Sequence, residues 1–131
     1  MGEEGNYKNL IVWQKGITLV KEVYKLTANF PSEEKFGLVS QMRRAVVSIP
    51  SNLAEGQARR TTGDYVKFVS ISEGSLAELE TQMIISIELG FCLQKETENI
   101  FNLMVEIRKM LKKSVGKIRI RDKGRGTRDK G

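Results

Sequence analysis

The stretch Ser48-Ile49-Pro50-Ser51-Asn52-Leu53-Ala54-Glu55-Gly56 decides how the chain is read. It contains a proline, which inside a helix removes one backbone donor, clashes with the preceding turn and costs about 3 kcal/mol. The periodicity around it is nonetheless helical. Gln41, Arg44, Ser48, Asn52 and Glu55 recur at steps of three and four, as do Met42, Ala45, Ile49 and Leu53, and that spacing lines up side chains on one helix face. The pattern continues through Pro50, so the stretch predicts a kinked but continuous helix over residues 33–59, with the freed carbonyl satisfied by a side chain or water. The alternative is a break, with Ser48 or Ser51 capping a second segment. The two rows differ in chemistry. The apolar row marks a core face. The polar row uses Gln, Ser and Asn where a solvated face uses Lys and Glu. It is either a seam between helices, partly buried and hydrogen-bonded, with Arg44 paired to Glu55 or Glu78, or a face that hydrogen-bonds a ligand.

Three further helical patterns flank this one. The first covers residues 9–28, where Leu10, Trp13, Ile17, Val20, Tyr24 and Thr27 form one row and Leu19, Val23 and Leu26 a second. Phe30-Pro31 stops it, because proline disfavours helical geometry in the residue before it. Ser32 then reads as an N-cap with Glu33 and Glu34 in the first turn. The third pattern runs from Asp64 to Leu89, after the capping residues of Arg59-Arg60-Thr61-Thr62-Gly63. Its Gly74-Ser75 pair suits close approach of a neighbouring helix. Met83-Ile84-Ile85, Ile87 and Leu89 point in more directions than one core can use, which predicts a second buried surface between subunits. Gly90 ends that helix. The fourth covers residues 95–114, with Ile100, Leu103, Met104, Ile107, Met110 and Leu111 as its apolar row. Short connections force successive helices antiparallel. The expected fold is all-α: an antiparallel up-down-up-down four-helix bundle over residues 1–115, followed by a disordered basic tail over 116–131.

Four motifs occur in order: Leu10-x-x-Trp13-Gln14; Tyr24-x-Leu26-Thr27-x-x-Phe30-Pro31-x-Glu33; Gln41-x-x-Arg44-Ala45-x-x-Ser48 running into Ile49-Pro50-Ser51-Asn52-Leu53-Ala54-Glu55-Gly56; and Gly74-Ser75-Leu76-x-Glu78-x-Glu80-Thr81. Together they resemble the bacterial four-helix-bundle proteins called 23S rRNA intervening-sequence proteins, over residues 7–114. The resemblance implies a small all-α protein that forms a homopentamer, without implying a biochemical activity. A related group, the accessory proteins of diversity-generating retroelements, works with a reverse transcriptase and its RNA.

Composition narrows the function classes. The chain of 131 residues has no histidine, which removes the commonest general base and metal ligand. A Ser-His or Cys-His nucleophile is excluded, and Glu78 and Glu80 cannot share a helix face at a spacing of two. The expectation is a non-enzymatic protein with no cofactor and no metal site. Cys92 is the sole cysteine and reads as a small core hydrophobe. Trp13 falls on an apolar face and reads as core. Tyr7 and Tyr65 lie near helix starts, with nothing in the sequence to make them base-stacking residues. No apolar run approaches the ~20 residues that span a bilayer. The acidic start Met1-Gly2-Glu3-Glu4-Gly5 lacks the basic and apolar regions of a signal peptide, so the expected location is cytoplasmic.

The net charge is +6, and residues 116–131 carry seven Lys or Arg against two Asp. The body is nearly neutral and the end is a basic arm, an asymmetry that points to an acidic partner such as RNA. The candidate nucleic-acid contacts are Lys117, Arg119, Arg121, Lys123, Arg125, Arg128 and Lys130, with Arg59 and Arg60, and Arg43 and Arg44 as extensions of that surface. A solvating tail without a specific partner is the plain alternative. Two functional readings stay open: an oligomeric RNA-associated protein, accessory to ribosomal RNA or to a reverse transcriptase, and a protein-interaction module with no nucleic-acid role.

Overall fold

The computed structural model describes residues 6–130, with only the backbone described at 119 and over 121–130. The acidic start, residues 1–5, and residue 131 lie outside the described residues. Four helices account for nearly the whole chain: α1 Ile11–Thr27, α2 Leu38–Gln57, α3 Thr62–Glu88 and α4 Gln94–Lys130. Each packs on its neighbours in sequence, and α4 closes the ring against α1, which is the up-down-up-down bundle. Among the described residues there is no strand, and no helix is long and apolar enough to cross a membrane.

α2 runs uninterrupted through Pro50, as its periodicity requires. Two neighbours adapt to the proline. Gly16 of α1 lies against it, so close that an added Cβ would stand 3.3 Å from the Pro50 ring. Ser72 of α3, fully buried, donates to the Ile49 carbonyl at 3.1 Å. A seryl hydroxyl thus meets the α2 backbone at the residue before the proline; the carbonyl that Pro50 itself frees is that of Val46, one turn earlier.

α2 begins at Leu38, later than the pattern predicts. Ser32–Glu34 form a separate 3-10 turn. The capping role expected of Ser32 falls instead to the Glu34 carboxylate, which accepts from Leu38 N–H at 3.3 Å. At the start of α3, Thr61 Oγ1 accepts from Asp64 N–H at 3.1 Å. Gly90 ends α3 with φ +76°, a left-handed conformation that glycine adopts without steric penalty.

The core is assembled from Leu19 and Val23 of α1, Met42, Val46 and Ile49 of α2, Leu76, Leu79 and Met83 of α3, and Ile100, Met104, Ile107 and Leu111 of α4. In α1 the buried residues are Gly16, Leu19, Val23 and Thr27, so Leu19 and Val23 of the second apolar row enter the core while Leu26 flanks it. Trp13 and Val20 only flank the core, and Tyr24 is exposed. Trp13 instead meets Tyr7 edge-on, ring centroids 5.4 Å apart. Phe30 and Phe91, 5.7 Å apart, close the opposite end. Of the Gly74-Ser75 pair, only Ser75 faces the neighbouring helix. Gly74 opens to space, with nothing within 4 Å of an added Cβ.

The structure differs most from the sequence reading at the carboxyl end. The backbone of 116–130 continues α4 as helix where composition predicts a disordered arm. No proline interrupts 94–130. Once a helix is nucleated, each added residue fixes itself with one more hydrogen bond, so Gly116, Gly124 and Gly126 weaken the extension by about 1 kcal/mol each without ending it. Val115 is the last core residue of α4, and Ile120 is 76% exposed.

Candidate nucleic-acid interface

The end of the bundle where α2 turns into α3 holds a cleft of about 640 Å³. Gly56 shapes its wall. An added Cβ there would sit 2.9 Å from Phe68 Cβ, so the last turn of α2 lies hard against the first turns of α3. Arg59 enters from the turn, Thr61 and Tyr65 from the start of α3, and Lys113, Ser114 and Lys117 from α4. Lys113, Ser114 and Lys117 share a helix face with Met110 by their spacing. Leu10 and Met110 supply apolar surface. Tyr65 and Ser114 join their hydroxyls at 2.7 Å, tying α3 to α4 across the cleft.

The electrostatics are one-sided. Among the described residues, three cationic side chains line the cleft and none of the lining residues is acidic. Arg59 is partly neutralised, with its Nη2 2.8 Å from Glu55 Oε1 and its guanidinium 4.9 Å over the Phe68 ring. Lys113 and Lys117 are exposed and make no ion pair among the described residues. Arg60, also exposed, follows Arg59 in the turn and is not part of the cleft lining. The structure therefore brings Arg59 and Lys117 together, although 58 positions separate them in the chain. The side chains of Arg119, Arg121, Lys123, Arg125, Arg128 and Lys130 lie outside those described. Sequence reasoning missed Lys113, Tyr65 and Ser114 as members of this surface. The lysines near the end of the fourth apolar pattern read equally well as favourable charges at a helix terminus, and only the helix packing shows which of them faces the cleft.

The polar row of α2 behaves differently from the partly buried seam expected. Ser48 and Asn52 are half-buried, whereas Gln41, Arg44, Glu55 and Glu78 are exposed. Ser48 shares a hydrogen bond with Ser75 of α3 and donates to the Ala45 carbonyl at 3.0 Å. Asn52 Nδ2 donates to the Ser48 carbonyl at 2.7 Å. Only the Ser48–Ser75 pair is a seam between helices. Glu55 pairs with Arg59, so Arg44 has no ion pair with Glu55 or Glu78. Gln41, Arg44 and Glu78 instead line a second, shallower cleft between α2 and α3. The reason is rotational: one turn of α2 presents Ser48 to α3, and the longer side chains at 41 and 44 fall on the outer edge of that contact.

Arg43 is also removed from the list of phosphate contacts. Its Nε donates to Thr27 Oγ1 at 3.0 Å and its Nη2 to the Tyr24 carbonyl at 3.2 Å. The guanidinium lies 4.3 Å over the Tyr24 ring. It caps the carboxyl end of α1, where the helix dipole favours a cation. Cys92 is buried among the core residues. Burial first, and the Glu96 charge second, push its thiol above the ordinary value, which keeps it protonated and poorly nucleophilic.

A protein-family model described as 23S rRNA-intervening sequence protein matches residues 8–113. A crystal structure of a protein of unknown function, from the S23 ribosomal protein family of Bacteroides thetaiotaomicron VPI-5482, has a similar fold, with a TM-score of 0.72. It is 22% identical, and the match covers 80% of this chain and 98% of that one. No curated protein matches the chain.

Proposed function

The chain belongs to the 23S rRNA-intervening sequence protein family, and from that premise we propose that it is a cytoplasmic, non-enzymatic, oligomeric RNA-associated protein. RNA is held by the basic end of the bundle and the extension of α4. The observation that carries this reading is the placement of charge: of a net +6, all but +1 lies beyond Val115, in a segment that begins at the cleft holding Arg59 and Lys113. Cations that neutralise phosphates release condensed counterions and need no base recognition. The expected partners are ribosomal RNA or the RNA of a reverse transcriptase, and the genes beside this one distinguish the two.

The test compares the intact chain with a chain ending at Val115. Removing 116–131 is expected to lower RNA affinity at least tenfold at about 50 mM salt, and to flatten the dependence of log K on log salt. The unfolding midpoint should stay nearly unchanged, since Val115 is the last buried side chain among the described residues. Equal affinity and slope in both forms would reject the arm as the binding element.

Association into a homo-oligomer, with the pentamer that the family resemblance implies, follows from the apolar surface left outside the core. Ile84 of α3 and Leu89 directly after it are 49% and 59% exposed, and Ile71 and Ile85 of α3 are also exposed. One helix bearing this much exposed apolar surface favours burial between copies. Several weak arms held on one ring would bind a strand more tightly than one arm. Light scattering at micromolar concentration should give a multiple of the 14.8 kDa chain mass; a strictly monomeric mass would refute it. The second reading, a protein-interaction module without RNA, draws on Phe36, 89% exposed beside Tyr24 and Val47. It is what remains if the intact chain does not bind RNA.

A further inference from the structure

We propose that the cleft between the α2–α3 turn and α4 is a built site for one nucleotide of a single-stranded RNA, with Lys113 and Lys117 on its phosphate and the wall of Leu10, Tyr65 and Met110 against its base. This rests on the RNA reading above and goes beyond a diffuse basic arm by naming a site on the folded bundle.

Three observations support it together. The cleft is about 640 Å³, within the ~300–1,000 Å³ of small-molecule sites, and so has room for a base with its sugar and phosphate. Its charges are all of one sign. Arg59 already has Glu55 at 2.8 Å, so the unneutralised cations are Lys113 and Lys117, one helical turn apart on α4. Among the described residues, Glu55 and Asp64, whose backbone N–H is capped by Thr61, lie close in sequence to the lining, and neither lines the cleft. Two lysines at this spacing without a carboxylate partner suit a phosphate.

The third observation separates a nucleotide from a bare anion. Beside the lysines the cleft is apolar, with Leu10, Met110 and the Tyr65 ring. A phosphate alone leaves that wall unused. A base in a duplex is stacked on its neighbours and cannot present its face to such a wall, whereas an unpaired base can. The Tyr65 and Ser114 hydroxyls, joined at 2.7 Å, belong to the same lining. Each keeps hydrogen-bonding capacity for a ribose hydroxyl. Beyond Lys117 the sequence continues with Arg119, Arg121 and Lys123.

The experiment uses the full chain and a labelled single-stranded RNA oligonucleotide, titrated at several salt concentrations. The double variant K113Q/K117Q removes the two site charges. The control K25Q/K95Q removes two exposed lysines from the opposite end of the bundle. The site variant is expected to bind about tenfold more weakly at about 50 mM salt, with a slope shallower by roughly 0.7, the value for one single-strand phosphate contact. The control should change affinity less than threefold. Photo-crosslinking with 4-thiouridine RNA should give adducts on the peptides containing Tyr65 or Met110. Equal losses in the site and control variants, or adducts confined to peptides without these residues, would overturn the site while leaving RNA binding by the arm intact. No RNA binding by the intact chain would overturn the RNA reading and the site with it.

Discussion

Leu79→Ala is expected to lower the free energy of unfolding by about 2–5 kcal/mol, the range for a leucine truncated in a packed core. Leu79 is fully buried, in the cluster that also holds Met83 of α3, Ile49 of α2 and Ile107 of α4. That core is built from all four helices, and the cost of a cavity in it depends on how little the surrounding side chains can relax. At roughly 4 °C per kcal/mol for a domain of this size, the thermal midpoint falls on the order of 10–20 °C. Circular dichroism melts of the variant and the parent chain measure this. A fall below about 3 °C would show that Leu79 is not a core residue. Ile84 on the same helix provides the contrast. It is 49% exposed, so Ile84→Ala should leave the stability of a single bundle nearly unchanged and act on association instead.

Gly56→Ala has the second large effect, about 1–3 kcal/mol of destabilisation from overpacking. The added methyl would sit 2.9 Å from Phe68 Cβ. A Cβ is fixed to its backbone, so α2 and α3 have to separate where they pack most closely. Gly74→Ala makes the opposite change in the same chemistry. Nothing lies within 4 Å of its added Cβ, and replacing an exposed helical glycine with alanine gains up to about 1 kcal/mol. Urea unfolding of the two variants should move the midpoint in opposite directions. If Gly56→Ala is neutral or stabilising, the close approach of α2 and α3 is wrong. That outcome would also undermine the shape of the cleft they wall.

The candidate surface is only half legible in the chain. The concentration of charge beyond Val115 is a matter of composition, and so is the lack of histidine that removes His-based chemistry. Arg59 and Arg60 were visible as a basic pair in a turn. Their relation to Lys113 and Lys117 was not, because nothing local connects residue 59 with residue 117. The polar row of α2 shows the same limit from the other side. Its period was correct, but period does not say how far a side chain stands from a neighbouring helix. Ser48 therefore pairs with Ser75, while Arg44, four positions earlier, finds no ion pair among the described residues. Arg43 and Arg44 are adjacent and chemically identical; one caps α1 through the Tyr24 carbonyl and the other lines an open cleft.

The sequence by itself determined the number of helices, their antiparallel order, the stop at Phe30-Pro31, the turn at Gly90 and the passage of α2 through Pro50. These follow from forces acting within a few residues: the 3.6-residue period, caps, and the special backbones of glycine and proline. Tertiary structure alone decided which apolar row of α1 is the core, why Gly16 stands opposite Pro50, which hydroxyls join α2 to α3, and which lysines share a cleft with Arg59. A helical period fixes angles about a helix's own axis. The rotation of each helix relative to its neighbours, and so every contact between them, is set by how four surfaces pack together without leaving voids.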